Sequence, residues 1–191
     1  RVAGEMPEPE LDEVVGGFTP FLRGNAANAG TRHIELLDEV QCFLALAHVE
    51  PGPGRGTKIT VNTAAGQFDV FDDSYNANPA SVRAALEVLG GHVGGRRIMA
   101  LGDMGELGPQ TESLHAGLAD AISAAHVDLV FTVGTHTRAL DAALPATLRG
   151  GHFETSDQAA QIISETARAG DGFLVKGSNA MNMGAVVRAL V

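Results

Sequence analysis

A cluster of polar side chains over 72–79 (DDSYNANP) holds the residue types best suited to binding chemistry in this sequence. The cluster follows an alternating apolar run, 68–71, which predicts a strand. Pro79 begins a stretch that predicts a helix, with Asn78 as its N-terminal cap. The cluster therefore lies where a strand ends and a helix begins. In open α/β sheets, ligands bind at that edge, outside the carboxyl ends of the strands.

The individual side chains of this cluster indicate which ligands it could hold. Asp73 can accept hydrogen bonds from sugar hydroxyls or from a cationic amine. Asn76 and Asn78 each supply donors and an acceptor, which suits a peptide-like ligand with one amino and one carboxyl end. Tyr75 is the only tyrosine; it could stack on a ligand or donate a hydrogen bond, and it could equally be a partly buried core ring.

Three later apolar runs end in similar polar loops. These loops are 102–108 (GDMGELG), 134–137 (GTHT) and 176–179 (KGSN). Because a Lys and an Asp that finish apolar strands need partners, we expect Asp103, Lys176 and Ser178 to line the same sheet edge as the first cluster. Ser178 precedes the last predicted helix, whose free N–H groups suit a carboxylate. The Gly134 loop is also compatible with an ordinary turn.

Arg55 lies in a Gly/Pro-rich segment, 50–56, that suits a linker between domains. It could reach a phosphate group, or it could be an ordinary solvated loop charge. The sequence contains no GxxxxGK[ST] loop and no strand–GxGxxG–helix unit. If the chain handles ATP, we therefore expect another domain to supply the main phosphate grip and the Mg²⁺ site.

The composition narrows the possible classes of function. The formal net charge of −10 argues against duplex nucleic acid as a partner, because counterion release requires clustered Lys and Arg. Cys42 is the only cysteine, which excludes an internal disulfide, and the scattered His predict no dedicated metal site. No apolar run is long enough for membrane insertion and no signal peptide is visible. A cytoplasmic monomer is expected, and the first residue is not Met, which suggests a fragment.

The elements that would position these loops follow a regular order after residue 50. The predicted strands are 58–61, 68–72, 97–101, 129–133, 152–153 and 172–176. The predicted helices are 79–90, 110–125, 136–143, 157–169 and 180–190. This alternation predicts an α/β, Rossmann-like fold: a mostly parallel sheet with helices on both faces and a β-hairpin at its start. A further helix is predicted over 31–49, and residues 1–30 have no long periodic pattern.

Three motifs together resemble the C-terminal domain of the Mur ligases. They are DDSYNANP at 72–79, MALGDMGELG at 99–108 and LVKGS at 174–178. The first two form a specific pair that is similar to the family member joining D-Ala-D-Ala to a UDP-muramoyl-tripeptide. The resemblance covers about 51–191, which is interpreted as the Mur ligase C-terminal domain. A weaker likeness over 36–56 suggests that the poorly defined segment 1–50 is a remnant of the central ATPase domain.

The resemblance implies an ATP-dependent, ADP-forming amide ligase of peptidoglycan synthesis. Its ligands would be UDP-MurNAc-tripeptide, D-Ala-D-Ala and ATP, with ATP and Mg²⁺ held mainly by the central domain. ATP would phosphorylate the tripeptide carboxylate, and the amine of D-Ala-D-Ala would attack the acyl phosphate. The C-terminal domain would close over the nucleotide, keeping water from the acyl phosphate and orienting the amine.

Site residues are carried over from the family by position. Arg55 would approach the ATP phosphates, and Asp73 the ribose, with Tyr75 in the same ATP site. The residues around the dipeptide or the reacting centre would be Asn76, Asn78, Asp103, Lys176 and Ser178.

The departure from the family is large. The UDP-sugar domain and the phosphate-loop domain with its Mg²⁺ ligands are absent or reduced, so the chain alone is not expected to be a competent ligase. The alternatives are a stand-alone module with weak nucleotide or dipeptide affinity, and a structural or interaction domain with a vestigial site. A domain of a folylpolyglutamate-synthase-like ligase is another, although DDSYNANP argues against it.

Overall fold

The computed structural model describes residue 52 and residues 54–191; the predictions for 1–50, including the helix over 31–49, lie outside the described residues. The strands are β1 Thr57–Thr63, β2 Gly66–Asp73, β3 Arg97–Gly102, β4 Leu129–Val133, β5 Arg149–Phe153 and β6 Gly172–Lys176. The α-helices are α1 Pro79–Gly90, α2 Thr111–Ala116, α3 Ala119–Ala124, α4 Thr137–Ala143, α5 Ser156–Thr166 and α6 Gly184–Leu190. None of these described helices has the length and apolar character needed to cross a bilayer.

The strands form one sheet in the order β1-β2-β6-β3-β4-β5. Only β1 and β2 pair antiparallel; every other neighbouring pair is parallel. This arrangement confirms the predicted fold, a mostly parallel sheet that begins with a hairpin. The last strand, β6, lies between β2 and β3. That position brings loops that are far apart in sequence to the same end of the sheet.

The sheet buries both of its faces. On one face, buried side chains of β2, β3, β4 and β6 meet α5 and α6, with Phe68, Phe131, Phe173 and Val186 in this core. On the other face the same sheet meets α1, α3 and α4, with Val82, Met99, Ile122 and Leu174 in the core. Because both faces are covered, β6 is apolar and buried almost throughout, as the continuous apolar runs predicted.

The start of α1 is fixed by the residues that the sequence singled out. The Asn78 side chain accepts a hydrogen bond from the Ser81 N–H, and the Ser81 hydroxyl lies 3.1 Å from the Asn78 N–H. Pro79 occupies the first helical turn, where its missing N–H costs nothing. The predicted cap is therefore confirmed, and its capping box ends the polar loop that follows β2.

The prediction of one helix over 110–125 is wrong. A 3₁₀ turn, Gly108–Gln110, leads into α2, and the chain breaks at Gly117 before α3 begins. The Leu118 N–H bonds to the His115 carbonyl at 3.1 Å, one residue closer than an α-helix requires. Gly is a weak helix former, and the tighter turn buries Leu118 completely in the core.

The predicted last helix also begins too early. The segment after β6 forms a 3₁₀ turn, Asn179–Met181, and Asn182 then adopts a left-handed conformation with φ 50° and ψ 40°. Asn tolerates this conformation, which interrupts the helical path, so α6 begins only at Gly184. Other boundaries differ by a few residues: β5 extends back to Arg149, and α5 ends at Thr166 because Ala167 is extended.

Candidate functional site

An ion pair joins the ends of two neighbouring strands. Asp73 ends β2, Lys176 ends β6, and the two residues are paired in the parallel register. The Lys176 Nζ donates to Asp73 Oδ2 at 2.5 Å and to the Asn76 carbonyl oxygen at 2.8 Å. Lys176 is only 2% exposed, so its charge requires these partners. An ammonium has three N–H donors, and two are used by described residues, which leaves one for a ligand.

A turn around Arg55 lies against the polar loop. The Tyr75 N–H donates to the Gly54 carbonyl at 3.0 Å, and the Gly56 N–H donates to the Asp72 carbonyl at 2.9 Å. Gly54 has φ +75°, and a Cβ there would lie 3.0 Å from the Tyr75 nitrogen, so this position requires glycine. The Arg55 guanidinium carbon lies 4.0 Å from the centroid of the Tyr75 ring, a cation–π contact. Tyr75 is 45% exposed, which excludes the core-ring alternative.

The two asparagines have already committed their carbonyl oxygens. Asn76 Oδ1 accepts from the Ala77 N–H at 2.8 Å, and Asn78 Oδ1 accepts from the Ser81 N–H at 2.9 Å. Their NH₂ groups make no hydrogen bond to a described residue, so they can donate to an incoming ligand.

These side chains surround one cavity of about 280 Å³ at the carboxyl edge of the sheet. Its lining residues are Gly54, Arg55, Gly56, Asp73, Tyr75, Asn76, Asn78, Ser81 and Lys176. Two cations, one carboxylate and two amides suit a polar ligand that carries an anionic group. A cavity of about 480 Å³ between α1 and α3 is larger, but its lining is mostly apolar and contains no predicted site residue.

Asp103 and Ser178 form a second group at this edge and do not line that cavity. The Asp103 carboxylate accepts the His136 N–H at 3.1 Å and the Thr137 N–H at 2.8 Å, which caps the start of α4. The Ser178 N–H donates to the Asp103 carbonyl at 2.9 Å. Gly134 has φ +109°, and a Cβ there would lie 2.5 Å from the Asp103 Cγ. Glycine at 134 thus makes room for the carboxylate.

The last helix does not begin directly behind Ser178, where its free N–H groups were expected to suit a carboxylate. Ser178 precedes a single 3₁₀ turn, and the Met181 N–H donates back to the Ser178 carbonyl at 2.9 Å. The α6 helix begins only after Asn182, so its free N–H groups do not follow Ser178 directly. Any contact of Ser178 with a ligand must come from its own hydroxyl and the adjacent loop.

The cavity also contains residues that sequence reasoning missed. Ser81 lines it from the first turn of α1, and Gly54 lines it from the turn before β1. The Asn–x–x–Ser spacing of a capping box could have identified Ser81. Outside the cavity, His115 is one of the scattered histidines to which sequence reasoning assigned no role, and it is fully buried beside the Asp103 loop.

The described residues form no metal-binding cluster. Among the residues that the structure describes, no three His, Cys, Asp or Glu side chains are grouped so that they could hold a metal ion. The donors around the 280 Å³ cavity are mainly cations and amides, which do not fit Mg²⁺.

Toward the β5 edge, burial of the His152 imidazole and the charge of Arg138 lower the pKa of His152, against raising contributions from Asp141, Asp103 and Glu154.

Comparison with known proteins identifies relatives of this chain. The family model for the Mur ligase, glutamate ligase domain, matches residues 55–179. The UDP-N-acetylmuramoyl-tripeptide–D-alanyl-D-alanine ligase of Escherichia coli (strain K12) is 37% identical over 149 residues, covering 76% of this chain and 31% of that protein. The ligase of the same name from Bacillus subtilis (strain 168) is 32% identical over 146 residues, covering 71% of this chain and 32% of that protein.

Solved structures of MurF ligases are also similar to this chain. MurF from Acinetobacter baumannii superposes with a TM-score of 0.63 at 29% identity, over 77% of this chain and 32% of that one. The MurF ligase from Thermotoga maritima in complex with ADP has a TM-score of 0.63 at 21% identity, over 79% of this chain and 35% of that one, and supports the fold alone. The chain spans about a third of the length of the curated relatives it matches.

Proposed function

The chain belongs to the Mur ligase family, and we propose that it carries the C-terminal domain of a ligase that joins D-Ala-D-Ala to UDP-MurNAc-tripeptide while converting ATP to ADP. The observation that carries this proposal is the grouping of Arg55, Asp73 and Lys176 around one cavity, in a chain 37% identical to a protein named for that reaction. Residues 51–191 form this domain in the proposal, with 1–50 belonging to the central ATPase domain.

The nucleotide side of the proposed site consists of Arg55, Tyr75 and Asp73. The Arg55 side chain is exposed and stacked on Tyr75, so its guanidinium donors are available to phosphate oxygens. Lys176 holds one oxygen of the Asp73 carboxylate, and the other oxygen can accept from ribose hydroxyls. The described residues do not fit an Mg²⁺ site, so the proposal leaves Mg²⁺ to other parts of the ligase.

The substrate side consists of Asn76, Asn78 and the remaining Lys176 donor. The amide NH₂ groups and the ammonium converge on the same cavity, where they can bind the carboxylate or carbonyl oxygens of a dipeptide. Asp103 and Ser178 shape the adjacent loop. Closing this edge over the nucleotide would orient the attacking amine and keep the acyl phosphate from water. The cytoplasmic location and monomeric state stay predictions.

Ligand titration of the ¹⁵N-labelled 191-residue chain tests the assignment. ATP and D-Ala-D-Ala are added separately, with L-Ala-L-Ala as the stereochemical control. We expect ATP to shift the amide signals of Arg55 and Tyr75, and D-Ala-D-Ala to shift those of Asn76 and Asn78. No shift with either ligand at millimolar concentration would overturn the proposal and favour a structural or interaction module.

An activity measurement tests whether the rest of a ligase is required. The purified chain, given ATP, Mg²⁺, UDP-MurNAc-tripeptide and D-Ala-D-Ala, should form no ADP, and ADP formation would contradict the need for further domains. A chimera in which residues 51–191 replace the matched region of the E. coli relative should release ADP only when D-Ala-D-Ala is present. The same chimera with Asp73→Asn is the matched control. A folded but inactive chimera would contradict the assignment.

A further inference from the structure

We propose that His115 is a positioning residue that ties together the two ends of the loop 104–111 and thereby sets the position of Ser178. His115 lies on α2 and is fully buried. Its Nε2 lies 2.9 Å from the Met104 nitrogen, and its Nδ1 lies 2.7 Å from the Thr111 carbonyl oxygen. One imidazole therefore contacts the backbone at both ends of this loop. The consequence for substrate binding rests on the proposed function; the positioning role itself does not.

The partners of the ring determine its protonation state. A backbone N–H can only donate, so Nε2 must accept from Met104 and carry no proton. A backbone carbonyl can only accept, so Nδ1 must carry the proton and donate it to Thr111. His115 is thus a neutral imidazole with both nitrogens in use. Lysine and arginine have no acceptor, and most other side chains cannot span the two contacts.

The loop that His115 ties has an unfavourable backbone. Glu106 has φ 60° and Gly108 has φ 62°, both in the left-handed region. A residue with a side chain such as Glu106 seldom adopts that region without surrounding contacts that enforce it. Fixing Met104 and Thr111 shortens the segment that must be held in this conformation. The hydrogen bonds of His115 therefore help to enforce the path of the loop.

The same contacts reach the proposed substrate edge within one residue. Asp103 directly precedes Met104, and its carbonyl accepts the Ser178 N–H at 2.9 Å. On the other side of Met104, a Cβ placed on Gly105 would lie 3.6 Å from the Ser178 Cβ. Ser178 is thus hydrogen-bonded to the residue before Met104 and lies close to the residue after it. A displaced Met104 would move the backbone on which Ser178 rests.

Two conservative substitutions separate the contacts of the ring. In His115→Gln, the side-chain carbonyl reaches the Nε2 position and can accept from Met104. In His115→Asn, the shorter amide can donate to Thr111 but leaves the Met104 N–H without an acceptor. His126→Asn is the matched control, because His126 is exposed and its φ of 52° suits asparagine.

Amide hydrogen exchange and ligand titration of the full 191-residue chain provide the readout. We expect His115→Asn to raise the exchange rate of the Met104 amide by about tenfold, the effect of losing one buried hydrogen bond. The Leu174 amide in β6 should be unchanged. The D-Ala-D-Ala Kd should rise several-fold while the ATP Kd stays the same. His115→Gln should keep the protection of the Met104 amide, and His126→Asn should behave like the wild type.

Three results would overturn the proposal. The first is a ¹⁵N spectrum of the wild-type ring with the proton on Nε2, which needs no variant to fold. The second is an equal loss of Met104 protection in His115→Gln and His115→Asn, which would make ring packing the cause. The third is unchanged Met104 exchange in a folded His115→Asn protein. If the wild type binds no D-Ala-D-Ala, the proposed function fails, while the exchange rates still decide the role of His115.

Discussion

Asp73 and Lys176 lie directly opposite each other at the ends of β2 and β6, and their side chains form an ion pair across 103 residues of sequence. The pair joins the hairpin side of the sheet to its centre at the edge where the cavity opens. Lys176 also holds the Asn76 carbonyl, so one ammonium fixes both the strand end and the loop that follows. Its first role is to shape the site, and its third donor is what a ligand can use.

Replacing Lys176 with Met should lower the free energy of unfolding by about 2–4 kcal/mol, because the Asp73 carboxylate and the Asn76 carbonyl lose their partner. Urea denaturation measures this change. Since Asp73 is partly solvated, with 26% of its side chain exposed, the lower part of the range is expected. The double variant Lys176→Met with Asp73→Asn should recover part of the loss, and strict additivity of the two single changes would contradict the coupling.

The Gly134→Ala substitution should destabilise the protein more than Gly108→Ala. Both residues have positive φ, so each change carries a backbone cost of about 1 kcal/mol. At Gly134 the new methyl also meets the Asp103 carboxylate, whereas at Gly108 no atom lies within 4 Å. We expect a further loss of about 1–2 kcal/mol at Gly134. Equal midpoints in urea denaturation would show that the carboxylate moves aside freely.

Two substitutions at Asn78 should separate capping from ligand binding. Asn78→Ala removes the cap of α1 and should cost about 1 kcal/mol in thermal or urea unfolding. Asn78→Ser keeps a capping oxygen but removes the amide NH₂, so its stability should stay near that of the wild type. If the NH₂ binds the dipeptide, Asn78→Ser should weaken the D-Ala-D-Ala affinity. A stable Asn78→Ser protein with full affinity would restrict this residue to capping.

The stability of the protein should fall as the pH decreases below about 6.5, through His152. Burial and the charge of Arg138 lower the pKa of His152, so the folded protein binds a proton there less readily than the unfolded chain. The contribution is fully present above the unfolded pKa and is lost as the pH falls through the folded one. Urea denaturation from about pH 7.5 to about pH 5 should show a smaller decline for His152→Asn than for the wild type.

Parallel pH profiles of these two proteins would contradict the assignment to His152. The titration of Asp69 does not contribute to the change in stability over this pH range. Burial raises the pKa of Asp69, but the hydrogen bonds from Lys58 and Thr60 and the nearby charges outweigh that effect, so its pKa lies below 3.8. Its stabilising contribution is therefore lost only below that value, outside the measured range.

Local signals predicted much of this structure. The apolar runs located the strands, and the Asn78-Pro79 pair located the start of α1, because strand patterning and capping depend on residues close in sequence. The same reasoning failed where a local preference was overridden. The 110–125 pattern is helical throughout, but the helix ends at Gly117 and Leu118 is fully buried in the turn that follows.

Long-range contacts could not be predicted. The sequence indicated that Asp103 and Lys176 need partners, but it did not indicate which groups these partners are. Lys176 pairs with the Asp73 carboxylate because β6 lies next to β2, and no local sequence pattern predicts that strand order. Asp103 found two backbone N–H groups at the start of α4, so its charge is bound by the fold. The contact of His115 with Met104, eleven residues away, also depends on the fold and could not be predicted from local patterns.

The central position of β6 has a consequence for biosynthesis. During translation, β2 and β3 emerge before β6, the strand that lies between them and pairs with both. Until Lys176, at the end of β6, has left the ribosome exit tunnel, β2 and β3 therefore each have one edge without a partner strand. Nascent chains arrested before that point would expose two open strand edges, which are sites for intermolecular pairing and chaperone capture.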